Sequence, residues 1–392
     1  MNANLPRLMH RFRIPWLAAI AFSAAMLAAC GSGDEPDLIS ASGGYEIWAL
    51  DQGTDIAYIY DSGLREVARI DLGAHGAEVP HMIEFSADHR YAVVANVASG
   101  NVAVIRTADR EVIEVIDTGP RTHMASFSHD DSRILVDVIG NADDYRDGKL
   151  VEIRADLDNE TFEIDRELVI ADDPLFQDSA ENFEDVAAIC HYMNADHSQA
   201  YVTLGPDLDN GGLLVVNTDD LRIEKLWGPD ELRVNCGTML TPDGRHMLVN
   251  GGGQETGIWY AIDTETLEIV HEDTSGGIDA HGVRNVPNGE EIWMVNRGTS
   301  DGIVIDADTL EVIDTIPDTG MTPDILDFSP DSRFAFVTLR GPNPVSMPHM
   351  AVGETPGFSV IDVESRELIG LVMPDEDNED SDFHGIGVRV LD

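Results

Sequence analysis

Six short polar turns recur along this chain at near-regular intervals: Ser86-Ala-Asp-His-Arg90, Ser128-His-Asp-Asp-Ser132, Asn194-Ala-Asp-His-Ser198, Thr241-Pro-Asp-Gly-Arg245, Val286-Pro-Asn-Gly-Glu290 and Ser329-Pro-Asp-Ser-Arg333. Each lies between two apolar runs, the second of which is exemplified by Tyr91-Ala-Val-Val-Ala-Asn96. Recurrence at such a period means one supersecondary unit copied along an array. Within a unit, apolar residues alternate with period two and β-branched residues are frequent, which reads as strands. In the second unit the strands are expected at His81–Ser86, Tyr91–Val97, Asn101–Arg106 and Glu111–Asp117, here termed A, B, C and D. The C–D hairpin returns as Ile262-Asp-Thr-Glu-Thr-Leu-Glu268, Ile305-Asp-Ala-Asp-Thr-Leu-Glu311 and Ile361-Asp-Val-Glu-Ser-Arg-Glu367.

The first unit alone lacks an A–B turn. Its B, C and D strands are expected at Tyr45–Leu50, Ile56–Asp61 and Arg65–Leu72. The missing A strand is expected from the C-terminal run His384–Val390, which matches His281–Val286. A ring closed in this way has no free sheet edges. The expected fold is therefore all-β: a seven-bladed β-propeller of four-stranded antiparallel blades over residues 44–392, closed by the C-terminal strand completing the first blade. At roughly 50 residues per blade the spacing suits a propeller. The recurring strand, turn, strand and hairpin resemble the YVTN-repeat family of seven-bladed propellers, related in fold to cytochrome d1 and nitrous oxide reductase. The resemblance implies an architecture and not one activity, because that fold hosts binding proteins, lactonases and copper enzymes.

Residues 1–29 read as a signal peptide, with Arg7, Arg11 and Arg13 ahead of the small-residue apolar stretch Ile14–Ala29. Leu27-Ala-Ala-Cys30 resembles a bacterial lipobox, which implies lipid attachment at Cys30 and a membrane anchor. Residues 30–43, opening Gly31-Ser-Gly-Asp-Glu-Pro36, read as a flexible tether. By resemblance to lipoprotein sorting, Gly31 after the cysteine favours the outer membrane, with the domain facing the periplasm or the exterior.

The 392-residue chain carries 73 acidic and 24 basic residues, a net charge of −49. Removing a leader with three Arg and no acid takes it to −52. Such a surface repels nucleic acid, which excludes nucleic-acid binding. The acid-rich composition, with only Lys149 and Lys225 as lysines, looks like that of halophilic proteins. A monomer is expected, with an envelope protein or a small anionic ligand as partner.

Aligning units on their turns places His81, His123, Ile189, Cys236, His281 and Asp324 at one level of the innermost strand, and His384 joins them from the first blade. In the fourth unit His191 lies two residues beyond Ile189, on the same face of a regular strand. His, Cys and Asp are transition-metal ligand types. The expected metal ligands are His81, His123, His191, His281 and His384, with Cys236 and Asp324 as additions, and copper is preferred to zinc. Asp279 and Asp382 each precede a ring histidine by two residues and are candidates to orient it. Cys190 and Cys236 either form a disulfide in an exported protein or stay free as ligands.

Insertions fall on one side of the expected scaffold, at 140–148, 170–186, 205–212 and 341–357. Loops elaborated on one face of a rigid frame are where function is usually placed. Arg297 and Arg340 end B strands there and, with His349 of Met347-Pro-His-Met350, are candidate ligand-binding residues. The chain has no GxSxG elbow, P-loop, HExxH or CxxCH. Three readings stand. One is a metal-binding propeller, including copper-dependent oxidoreductases, to which the His-rich ring is broadly similar. The second is a non-enzymatic binding platform in which the histidines are structural. The third is a propeller-type lactonase, suggested by Gly119-Pro-Arg121 followed by His123.

Overall fold

A computed structural model describes residues 44–391 apart from 142–144, 180–182, 184–186, 206–207, 209–210, 347–351 and 376. It contains seven four-stranded sheets, each antiparallel and each in A-B-C-D order, arranged as a seven-bladed propeller. The innermost A strands are Phe383–Val390 in the first blade, then Pro80–Phe85, Thr122–Phe127, Ala187–Met193, Thr238–Leu240, Ala280–Asn285 and Pro323–Phe328. Among the described residues one short α-helix, Pro174–Ser179, interrupts this all-β pattern, inside the 170–186 insertion. No described helix is long and apolar enough to cross a membrane. The signal-peptide, lipobox and tether expectations lie outside the described residues, as do Met347, His349 and Met350.

The recurrent turn has a physical basis. Its fourth residue adopts positive φ in all six copies: His89 (55°), Asp131 (57°), His197 (57°), Gly244 (74°), Gly289 (77°) and Ser332 (60°). The left-handed region favours glycine and short polar residues, which explains much of the choice at that place. In the second blade the Ser86 hydroxyl accepts a bond from Tyr91 N–H at 3.0 Å, and the Asp88 carboxylate accepts one from Arg90 N–H at 3.0 Å. Thr241 and Asp243 repeat the pattern against His246 and Arg245.

Ring closure follows the expected route. Phe383–Val390 pairs with Tyr45–Asp51, with Ala49 opposite Ile386 and Ile47 opposite Val388. Phe383 is fully buried, its ring 5.7 Å from that of Tyr58, and Arg389 reaches Glu46 at 3.0 Å. Apolar clusters fill the spaces between neighbouring blades, for example Leu150, Phe176 and Phe183 against Val202 and Leu214. Burial of such side chains is worth about 1.5–3 kcal/mol each, which makes the frame rigid enough to hold polar groups at its axis.

Candidate functional site

The A strands are not regular where the ring residues sit. In six of seven blades the A–B ladder breaks at that level, between Pro80 and Met82, Thr122 and Met124, Ala188 and His191, Ala280 and Val283, Pro323 and Leu326, and Ala49 and Asp51 on the strand facing His384. A β-bulge leaves its extra residue unpaired and re-aims the side chain. The extra residues include His81, His123, His281, Asp324 and His384. In the fifth blade Cys236 stands just ahead of a three-residue strand, Thr238–Leu240, and approaches the ring from a loop.

Glycines and threonines make these bulges fit. A Cβ on Gly385 would stand 2.4 Å from the His81 carbonyl oxygen, and one on Gly282 would stand 2.4 Å from that of Asp324. Thr203 and Thr338 lie opposite two of the bulges and supply bonds that the broken ladder lacks. The Thr203 hydroxyl donates to Cys236 O at 2.7 Å and lies 3.2 Å from Cys190 N and O. Thr338 accepts from Ile325 N–H at 3.0 Å and reaches the His384 carbonyl. Both are fully buried. Sequence reasoning missed these two; the threonine inside Tyr201-Val-Thr-Leu204 and Phe336-Val-Thr-Leu339 was the available signal.

Four imidazoles meet at the axis. The rings of His81 and His384 stack with centroids 3.5 Å apart, His81 and His123 stand at 4.3 Å, and His281 and His384 at 5.9 Å. Three of them have one nitrogen committed outward. Gln52 donates its amide to Asp382 at 3.0 Å, which turns its oxygen to His81 Nδ1, also at 3.0 Å. His123 Nδ1 lies 2.7 Å from Ile189 O, and His384 Nδ1 lies 3.0 Å from His81 O. Each Nδ1 therefore donates to an oxygen, and each Nε2 keeps its lone pair. The Nε2 atoms of His81 and His123 then oppose each other at 2.9 Å.

The electrostatics divide the ring. Burial pushes His81 and His384 well below the ordinary imidazole range and His123 down to about 4, so these three are neutral near pH 7. Burial and Arg297 also resist charge on His281, but Cys236 and Asp324 outweigh them and lift it to about 9. Its Nε2 lies 2.8 Å from Asp324 and its Nδ1 3.2 Å from Cys236 Sγ. His384 Nε2 lies 3.6 Å from the other Asp324 oxygen. Among the described residues, His281, Asp324 and His384 offer ligand atoms all within 4.8 Å of one another.

Several expected roles change on this geometry. His191 does not join the ring. The bulge at Ile189 and Cys190 breaks the two-residue alternation, so His191 returns to the ladder opposite Val202 and turns towards the third blade. There its Nδ1 lies 2.7 Å from Asp137 and its Nε2 2.6 Å from Ser126 Oγ. Cys190 instead approaches the axis, with Sγ 4.0 Å from His123 Nδ1. Both Cys190 and Cys236 are free thiols.

Asp279 and Asp382 do not touch the histidines that follow them: Asp279 pairs with Arg297 at 2.9 Å and Asp382 with Arg340 at 2.7 Å. The two arginines, candidates for an anionic ligand or for pairing with surrounding acids, are buried, and both also contact Asp324, Arg340 at 2.7 Å and Arg297 at 3.5 Å. They form a fixed ionic collar above the ring. Below it, Arg284 spans the bore between Glu84 and Asp327, at 3.3 Å from each. Space at the ring is small, about 40 Å³ above and 60 Å³ below.

No family model matches the sequence, and no curated protein matches it. Solved structures do share its shape. One is the dihydro-heme d1 dehydrogenase NirN in complex with DHE, at 15% identity and a TM-score of 0.54, over 87% of this chain and 74% of that one. Another is the Kuenenia stuttgartiensis hydrazine synthase, at 12% identity and a TM-score of 0.56, over 82% of this chain and 90% of that one. At this identity the likeness is one of β-propeller fold.

Proposed function

We propose that this protein binds a transition metal at the axis of its propeller. The observation that carries the reading is the 2.9 Å approach of His81 Nε2 to His123 Nε2 while both Nδ1 hydrogens are committed elsewhere. Two lone pairs facing each other in a buried site repel unless a proton or a cation lies between them. Burial disfavours the proton, as the depressed values of both histidines express. A metal resolves the conflict without that penalty, and two imidazoles on one tetrahedral metal stand about 3.3 Å apart, a small relaxation from the present spacing.

His81 and His123 form the primary pair. His281, Asp324 and His384 form a second group able to hold an ion, and Cys236 positions His281. Neutral imidazoles suit copper and zinc alike, and copper stands highest in affinity among divalent first-row ions, so copper is favoured. Outward bonds on Nδ1 are the usual device for fixing the tautomer of a metal-bound histidine. The bound metal would supply Lewis-acid or one-electron chemistry, while the collar of Arg297, Arg340 and their carboxylates holds the charge around it fixed. The lipobox-like Leu27–Cys30 supports an exported, lipid-anchored setting at the outer membrane, where copper is an accessible metal.

The test is elemental analysis of protein prepared without a polyhistidine tag and equilibrated with copper or zinc. One tightly held ion per chain, lost in His81→Ala and in His123→Ala, supports the primary pair; a second, lost in His384→Ala, supports the other group. Absence of bound metal in folded wild-type protein leaves a scaffold with structural histidines, the binding-platform reading.

A further inference from the structure

Away from the ring, the interface of the third and fourth blades holds three side chains in one line. Ser126 comes from strand A of the third blade, Asp137 from its strand B, and His191 from strand A of the fourth. Ser126 Oγ lies 2.6 Å from His191 Nε2, and His191 Nδ1 lies 2.7 Å from Asp137 Oδ2. The carboxylate can only accept, so Nδ1 carries the hydrogen and Nε2 is left to accept from the serine hydroxyl. A nucleophile, a base and a group that orients the base are thereby joined in the order and tautomer that acyl transfer needs. Chain order and sequence motif do not define such a triad; geometry does.

Accessibility separates this arrangement from a buried hydrogen-bond chain. His191 and Asp137 are fully buried, whereas Ser126 is partly exposed and borders a cavity of about 110 Å³. Phe85, Met124, Phe127, Tyr192 and Met193 give it apolar walls on one part, and Glu84, with Ser126 and His191, makes the rest polar. His197 also lines it, and its Nδ1 is buried with no hydrogen-bond partner. A backbone donor is at hand as well. Ser128 N–H bonds Arg133 O, so the alternating ladder leaves Phe127 N–H on the open inner edge of the strand, immediately after Ser126.

We propose that Ser126, His191 and Asp137 form a nucleophilic triad acting on carboxylic esters with a short apolar acyl group and no negative charge. Ser126 Oγ attacks the carbonyl carbon as its proton passes to His191 Nε2, and Asp137 stabilises the imidazolium. The bond from that carbon to the alcohol oxygen breaks, and His191 returns the proton to the departing alkoxide. Water then attacks the acyl-serine with His191 again as base, releasing the carboxylic acid and restoring the serine. The steps are redox-neutral and consume one water. Glu84 shares the single Arg284 cation with Asp327, which leaves this edge net acidic and disfavours anionic substrates. None of the three is a proposed metal ligand, so this activity does not rest on the metal reading; Asp137 acts on His123 through its charge.

The full chain, treated with chelator to remove metal, is incubated with an alkyl fluorophosphonate probe, and p-nitrophenyl acetate hydrolysis is followed separately. The expected result is one adduct per chain mapping to Ser126, with hydrolysis lowered at least ~100-fold in Ser126→Ala and in the near-isosteric Asp137→Asn. Adduct mapping on wild-type protein does not depend on how any variant folds. The proposal is overturned if folded wild-type protein carries no adduct at Ser126, or if it hydrolyses the ester no faster than Ser126→Ala. Those outcomes would leave the three residues as a staple between blades.

Discussion

His81 and His123 face each other across 2.9 Å with Nε2 towards Nε2, and neither has a hydrogen to offer, because Gln52 and the Ile189 carbonyl hold the Nδ1 hydrogens of both. The histidines come from adjacent blades, 42 residues apart in sequence, and a bulge in each innermost strand turns them inward. The proposed metal affinity follows from the way the propeller bulges its inner strands.

The bulges depend on close backbone approach. Gly385→Ala would drive a Cβ to 2.4 Å from the His81 carbonyl, the same oxygen that fixes His384. We expect a loss of roughly 1–3 kcal/mol in urea unfolding, together with weaker metal binding. Gly253→Ala is the control, since a Cβ there meets nothing within 4 Å and φ is not in the positive range; its unfolding midpoint should stay close to that of the parent.

Thr338 fills the gap in the ladder of the seventh blade. Thr338→Val keeps the shape and removes the hydroxyl that serves Ile325 and the His384 carbonyl. The expected cost is about 1–3 kcal/mol, the penalty for buried polar groups left without a partner, measured by the shift in denaturation midpoint.

Arg340 is fully buried between Asp324 and Asp382. Arg340→Met removes the cation, strands Asp382 and leaves Asp324 to Arg297 and His281. A loss of about 3–5 kcal/mol is expected, visible as a lower thermal midpoint at neutral pH. Because stranded carboxylates resist ionisation, the deficit relative to the parent should shrink as the pH is lowered.

Acid should attack the repeated turns. Bonds from Ser132 and Ser128 hold Asp130 down to about 2. Burial resists the charge on Asp243, but Thr241 and Arg245 hold it to about 2 as well. A carboxylate with a lowered folded pKa contributes stability that is complete above its unfolded value, about 4, and is lost as the pH falls towards 2. Carboxyl-selective NMR titration should show both midpoints near 2, and Asp243→Asn should flatten stability over that interval without altering the slope near pH 7.

The architecture was legible because it is written six times. Each A–B turn needs a left-handed fourth residue and a side-chain oxygen acceptor at the third, and those demands leave a visible signature. Ring closure was legible too, since Phe383–Val390 repeats the His-Gly start of Ala280–Asn285. The axial site was readable to the level of which histidines approach one another, and there it stopped. Parity along a regular strand put His191 beside Ile189 on one face, but the bulge at Ile189 and Cys190 inverted that relationship. Local spacing also suggested that Asp279 and Asp382 orient the histidines two residues on. Asp279 goes instead to Arg297, its neighbour in the A–B hairpin of the same blade, and Asp382 to Arg340 of the adjacent blade, because a buried guanidinium has a stronger claim on a carboxylate than an imidazole. No period in the sequence reports such contacts.

The most direct check on the axial account is nitrogen NMR of protein labelled with ¹⁵N at histidine, assigned through single variants and recorded before and after addition of zinc as the diamagnetic probe. The account predicts that His81 and His123 are neutral at pH 7 with hydrogen on Nδ1, and that zinc shifts their Nε2 signals while leaving each Nδ1 protonated. Hydrogen found on Nε2 of both rings, or Nε2 signals that do not move with excess metal, would contradict it.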